Sequence, residues 1–229
     1  TSKRLKAVLT SMPLIPDIPA LTAAKYPDKD AIVCGQARIT YGQLNKSTTK
    51  LSSFLQARGL TKGDRVGIFT NKSIEEVIAI FAILKAGGVF VHINPGNKEK
   101  QMAHVIADCD IKTLFLNDHK SRIFKNAYDD KSPIDTIISL SPKLYLDNNS
   151  KEEIYYLNEI LEKSDPDQHS EVQIADDDLA SIIYTSGSTG LPSGIMVTHK
   201  IFADATTVSA ALLKNDDNDR LISVTPFSF

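Results

Sequence analysis

The feature that most constrains this chain is a regular alternation of short apolar segments with longer amphipathic ones. Ala31–Cys34 and Arg38–Thr40 read as two short strands joined through Gly35 and Gln36, a hairpin. Thr40 and Gln43 have capping-box spacing, and Tyr41, Leu44, Thr48, Leu51 and Leu55 follow as one apolar helical stripe that Gly59 ends. Asp64–Thr70 predicts a strand. Ser73 and Glu76 then form a second capping box, opening a helix through Ile74, Val77, Ile78, Phe81 and Leu84 that stops at Gly87-Gly88. Val89–Ile93 is a strand apolar on both faces, turned by Asn94-Pro95-Gly96, and Asn97 is placed to cap a helix carrying Met102, Val105 and Ile106. Lys112–Leu116 predicts a strand, Ser121–Tyr128 a weak helix, Thr136–Leu140 a strand, and Glu152–Lys163 a helix with Ile154, Leu157, Ile160 and Leu161 on one side. Leu179–Tyr184 and Ile195–Thr198 are strands, with a helix from His199 onward. Continuous apolar strands alternating with helices imply an α/β fold, a mostly parallel, doubly wound sheet flanked by helices.

Two stretches, Ser141–Glu153 and Ser164–Asp178, are polar and loop-like. The acids of the second, including Asp176, Asp177 and Asp178, read as solvated loop charge, since an EF-hand would need a different order of ligands. The formal net charge of -2 points to no nucleic acid or anionic membrane as partner. The apolar run Val77–Leu84 is far shorter than the ~20 residues of a spanning helix, and Thr1–Pro19 lacks the apolar core of a secretory signal. Cys34 and Cys109 belong to no paired motif and read as reduced, half-buried thiols; the expected location is cytoplasmic. The spacings of His92, His104 and His119 put no two on one helical face, which argues against zinc.

The chemistry concentrates after the strand Leu179–Tyr184. Thr185-Ser186-Gly187-Ser188-Thr189-Gly190-Leu191-Pro192-Ser193-Gly194 holds three glycines and five hydroxyl side chains. Glycines let backbone approach a ligand, successive N–H groups form an anion-binding concavity, and hydroxyls add donors to phosphate oxygens. The spacing fits neither a Walker A loop nor a dinucleotide G-x-G-x-x-G loop, which also removes the support for a nicotinamide-dependent oxidoreductase. A Ser/Gly-rich linker has similar composition, but a linker would not be framed so closely by apolar strands.

Tyr184–Gly194 resembles the signature loop of the adenylate-forming superfamily, which includes acyl-CoA synthetases, luciferases and the adenylation domains of peptide synthetases. Ile39–Leu44 resembles that family's first core motif, Leu84–Pro95 its second, and Thr225–Phe229 the beginning of its fourth, in the family's order. The resemblance implies that residues 1–229 are the N-terminal part of an AMP-binding large domain, divisible into two interleaved α/β subdomains, with about 64–200 the most complete sheet and the C-terminal domain absent. It implies ATP-dependent activation of an acyl or amino acid to an acyl-adenylate with release of pyrophosphate. Transfer to a thiol follows, either coenzyme A or the phosphopantetheine of a carrier protein. By the same resemblance Thr185, Ser186, Gly187, Ser188, Thr189, Gly190, Ser193 and Gly194 contact the ATP phosphates, with Thr185 aiding Mg²⁺. No residue of this stretch is assigned as catalytic, and the stretch alone is expected to be inactive, with part of its sheet surface uncovered.

One position departs from the family: Ser193 stands where lysine is usual, which removes a positive charge. Lys200 or a residue beyond Phe229 is the expected compensation; a non-catalytic nucleotide-binding or interaction module is the alternative. His199 stands where the family commonly has histidine. It reads either as an orienting residue near the nucleotide or, more plainly, as a helix-entry residue with a satisfied ring. Phe227 and Phe229 fit an acyl pocket or core packing equally well.

Overall fold

The computed structural model describes residues 13–128, 132–146, 151–185 and 192–227. A 3₁₀ turn, Ile15–Asp17, leads into α1 (Ile18–Lys25). The expected hairpin follows as β1 (Asp30–Cys34) and β2 (Ala37–Thr40), antiparallel to each other. Gly35 supplies the turn with φ of 60°. The Thr40–Gln43 capping box forms in both directions and opens α2 (Tyr41–Ala57), which buries Leu44, Thr48, Leu51 and Leu55. Gly59, with φ of 89°, ends the helix as expected.

The main sheet then forms from β3 (Arg65–Phe69), β4 (Val89–His92), β5 (Thr113–Leu116), β6 (Thr136–Ser139), β7 (Glu153–Tyr156), β8 (Leu179–Thr185) and β9 (Ser193–Thr198). Its spatial order is β7-β6-β5-β3-β4-β8-β9, parallel throughout except for β9, which returns antiparallel along β8. Five helices complete the described chain: α3 (Ile74–Lys85), α4 (Glu99–Asp108), α5 (Asp118–Ala127), α6 (Leu157–Lys163) and α7 (His199–Leu213).

Alternate strand residues feed two cores, as period-2 geometry requires. Val66, Ile68, Phe90, Phe115 and Ile138 join Leu44, Leu51, Ile78, Ile83 and Ile160, so α2, α3 and α6 cover one face. Phe69, Val91, Leu114, Leu116 and Ile137 join Met102, Val105, Ile106 and Phe124, so α4 and α5 cover the other. Between them Gly67 is set tightly: a Cβ there would lie 2.7 Å from Leu114 Cδ1. Only the missing side chain lets Leu114 and Ile111 lean over the backbone of β3 at this point.

Some expected elements differ. Glu152–Lys163 is not one helix: Glu153–Tyr156 pairs in parallel with β6, and only Leu157–Lys163 is helical. The run Ile154-Tyr155-Tyr156 is β-branched and aromatic, and its ring at Tyr155 packs edge-on against Phe54 at 4.9 Å. Lys98, not Asn97, is the cap of α4, with the Gln101 side chain accepting from its backbone N–H at 3.0 Å. α5 begins earlier than expected because Asn117 caps it, accepting from the Lys120 N–H at 3.1 Å. Cys34 is exposed and Cys109 buried, so neither thiol is half-buried.

The polar stretch before β8 is pinned to the protein at several points. Gln56 Nε2 donates to the Ser170 carbonyl at 2.8 Å, the Ser170 N–H returns to Gln56 Oε1 at 3.0 Å, and Lys62 Nζ pairs with Asp178 at 2.6 Å. A backbone N–H from Ala175 and the Lys62 ammonium hold the Asp178 carboxyl below its usual range. Among the described residues no helix is long and apolar enough to cross a membrane.

Candidate functional site

Chain order and spatial order reverse at one place in the sheet. The chain steps from β3 to β4 on one side, then crosses back so that β5 lies on the other side of β3. Ligands of open α/β sheets sit beyond the carboxyl ends of strands at such a switch. Thr70, Asn94, Asn117 and Thr185 follow or end the strands β3, β4, β5 and β8 at this rim. His92 is level with Ile183 in the β4–β8 pairing, so Thr185 closes β8 beside the turn after β4.

β8 and β9 hold the two ends of the glycine-rich segment side by side, with Thr185 opposite Ser193 and Tyr184 opposite Gly194. Thr185 and Ser193 are both exposed. Ser186, Gly187, Ser188, Thr189 and Gly190 lie outside the described residues. Gly194 has a packing reason for its identity: a Cβ there would stand 2.9 Å from Ile182 Cγ2 and 3.2 Å from Tyr184 Cζ. Replacing Gly194 with valine should therefore cost about 1–3 kcal/mol by overpacking. Denaturant unfolding of the variant checks this, and a midpoint equal to that of the parent chain would contradict it.

The stems are tied to α4. Tyr184 donates its hydroxyl proton to the Asp108 carboxylate, and the Cys109 thiol lies 3.2 Å from the same phenol oxygen. Since the phenol proton is committed to Asp108, the thiol is the donor of the second bond. Burial raises the pKa of both Tyr184 and Cys109, keeping them protonated. His104 Nε2–H donates to the Pro192 carbonyl at 3.1 Å, and its ring stands edge-on to Tyr184 at 6.4 Å.

His199 and Lys200 are not brought to this rim. β9 runs back along β8, so that Thr198 is opposite Leu179 and His199 opens α7 at the amino end of β8. His199 is indeed a helix-entry residue, but its ring is not satisfied at Nδ1, which has no partner among the described residues. The ring is buried, in a cavity of about 140 Å³ shared with Lys62, Gly87 and Asp178. Burial lowers its pKa, against the pull of Asp178. Lys200 pairs with Asp204 at 3.2 Å, one helical turn on, so it does not replace the charge that Ser193 lacks. The fold instead brings Lys120 to the carboxyl rim, a residue that the sequence did not single out. Its Nζ donates to the Pro95 carbonyl at 2.6 Å and lies 5.5 Å from the Phe69 ring centre. Burial lowers its pKa.

A second rim feature lies on the opposite face. His92 Nε2–H donates to Glu76 Oε1 at 2.7 Å, both side chains being almost wholly buried. Glu76 thus does not close the predicted capping box, although the Ser73 hydroxyl accepts from its N–H at 3.2 Å. The Phe227 ring lies 6.4 Å from His92 and 5.0 Å from Lys72 Nζ, while Phe229 is outside the described residues. Among the described residues no three His, Cys, Asp or Glu side chains gather as a metal site.

In open α/β sheets this carboxyl rim, at the switch in strand order, is where ligands are bound. The AMP-binding enzyme family model matches residues 20–229, and the chain belongs to that family. Tyrocidine synthase 2 of Brevibacillus parabrevis is 34% identical over 185 residues, 81% of this chain and 4% of that protein. Bacitracin synthase 3 of Bacillus licheniformis is 30% identical over 203 residues, 89% of this chain and 3% of that protein. The chain therefore spans only a small part of these relatives. Among solved structures, the anthranilate CoA ligase AuaEII in complex with anthranoyl-AMP superimposes with a TM-score of 0.74 at 22% identity, covering 82% of this chain and 35% of the ligase; it supports the fold.

Proposed function

We propose that the protein carrying this chain activates a carboxylic acid with ATP, in the cytoplasm, and passes the acyl group to a thiol. In the first step a carboxylate oxygen of an acyl or amino acid attacks the α-phosphorus. The bond to the bridging oxygen breaks, and pyrophosphate leaves with its electron pair. In the second step a thiolate attacks the acyl carbonyl and AMP departs; the thiol belongs to coenzyme A or to the phosphopantetheine of a carrier protein. The barrier is electrostatic, because an anion approaches a polyanion, so positioning and charge neutralisation dominate catalysis.

The observation that carries this reading is the position of Thr185, at the carboxyl rim of a buried parallel strand and directly across from Ser193. The donor set suits phosphate: two exposed hydroxyls on paired strands, joined in sequence through a stretch that includes Ser186, Gly187, Ser188, Thr189 and Gly190, with Gly194 next in sequence after Ser193. A hard cation such as Mg²⁺ takes oxygen ligands, and the exposed Thr185 hydroxyl would supply one. Mg²⁺ bound there would neutralise charge on the triphosphate, which Thr185 and Ser193 would hold at the rim. Residues 1–229 are then the N-terminal part of the AMP-binding large domain, with the sheet of 65–198 as its most complete unit. Taken alone, this part is expected to be inactive.

ATP–pyrophosphate exchange across a panel of amino, fatty and aryl acids tests the proposal in the protein as its gene encodes it. Exchange that depends on one class of acid is the expected result. ATP binding without exchange for any acid would instead favour a non-catalytic nucleotide-binding module, the reading that Ser193 supports. Ser193→Lys should raise exchange or leave it unchanged, since lysine adds a cation beside the phosphates; a sharp fall would count against the placement of the triphosphate.

A further inference from the structure

α4 presents two residues four positions apart, hence on one helical face, to the two stems of the glycine-rich segment. Asp108 accepts a hydrogen bond from the Tyr184 hydroxyl on the incoming stem, one residue before Thr185. His104 Nε2–H holds the Pro192 carbonyl on the outgoing stem, one residue before Ser193. The helix itself is anchored: Met102, Val105 and Ile106 have no exposed surface. Proline has no backbone N–H to contribute to the hairpin, so the carbonyl of Pro192 is its backbone handle, and His104 occupies it.

The geometry points to α4 as the positioning element of this site, with His104 and Asp108 fixing the stems independently of the β8–β9 ladder. Neither residue is catalytic: each acts on the stems and not on a ligand. The inference rests on the proposed binding of ATP phosphates between these stems. Holding both stems before ATP arrives removes ordering that binding would otherwise have to supply. Loss of the His104 bond should therefore weaken ATP binding and leave the chemical step alone.

The test compares His104→Leu with His104→Gln in the protein as its gene encodes it. Glutamine keeps an N–H donor of similar reach, and leucine keeps only bulk. His104→Leu should raise the KM for ATP about three- to tenfold, the worth of one hydrogen bond. The kcat of pyrophosphate exchange should change less than about twofold, and the KM for the acid should not move. His104→Gln should restore the ATP KM. Backbone hydrogen exchange read without ATP, in peptides covering 179–185 and 192–198, should be faster in His104→Leu and return toward the parent rate in His104→Gln. An unchanged ATP KM with unchanged exchange overturns the inference. So does glutamine performing no better than leucine, or an equal rise in the KM for the acid. If His104→Leu does not fold, His104→Asn, whose amide is too short to reach Pro192, takes its place. If the parent protein catalyses no pyrophosphate exchange, the proposed function fails, while the hydrogen-exchange comparison still decides the role of His104.

Discussion

Replacing His92 with leucine is expected to lower folding stability by about 3–5 kcal/mol, the cost of stranding one member of a buried, hydrogen-bonded carboxyl–imidazole couple. His92 and Glu76 show 2% and 3% side-chain exposure and meet at 2.7 Å. Glu76 Oε2 already lacks a partner among the described residues, so removing His92 leaves a whole carboxyl group without a donor. The deficit is electrostatic and not a matter of volume, because leucine nearly fills the space of the imidazole. The double variant Glu76→Met, His92→Leu should therefore recover most of the loss. Urea unfolding of the parent, the single and the double variants reads both results. A single variant as stable as the parent, or a double variant no better than the single, would contradict this account.

Thr185→Val should reduce pyrophosphate exchange by about 100-fold while leaving the unfolding midpoint in place. The side chain ends β8 and is exposed, so its hydroxyl has no part in the core. Valine has the same branching and keeps the strand conformation, which isolates the loss of one oxygen. The effect is large because such a hydroxyl would contact charge that is redistributed in the transition state. A fall smaller than about threefold would place the triphosphate elsewhere.

Much of the fold is legible in local patterns. Thr40 and Gln43 announce the start of α2, Gly59 its end, and the apolar runs mark β3, β4, β5, β6 and β8. What fails is set by partners distant in sequence. Ile154 fits a helical stripe equally well, and it becomes a strand residue because β6 offers an open edge to pair with. Glu76 has capping-box spacing, yet His92 from the neighbouring strand captures its carboxylate. The phosphate segment is readable from its glycines and hydroxyls. The supports at Asp108 and His104 are not, since nothing within α4 signals that a hairpin about 80 residues onward will reach its surface. His199 and Lys200 mislead for the converse reason: nearness in sequence to Ser193 suggests nearness in space, and the direction of β9 reverses it.

That reversal separates two regions of the molecule which a linear map would merge. The six residues of β9, at ~3.3 Å each, carry the backbone roughly 20 Å from the rim of Thr185 before α7 begins. A dye or spin label on Ile201, an exposed residue in the first turn of α7, would thus report on the far pole of the sheet. Distances from such a label to one beside Thr185 would run along the strand direction, offering a ruler for any rearrangement that accompanies the reaction.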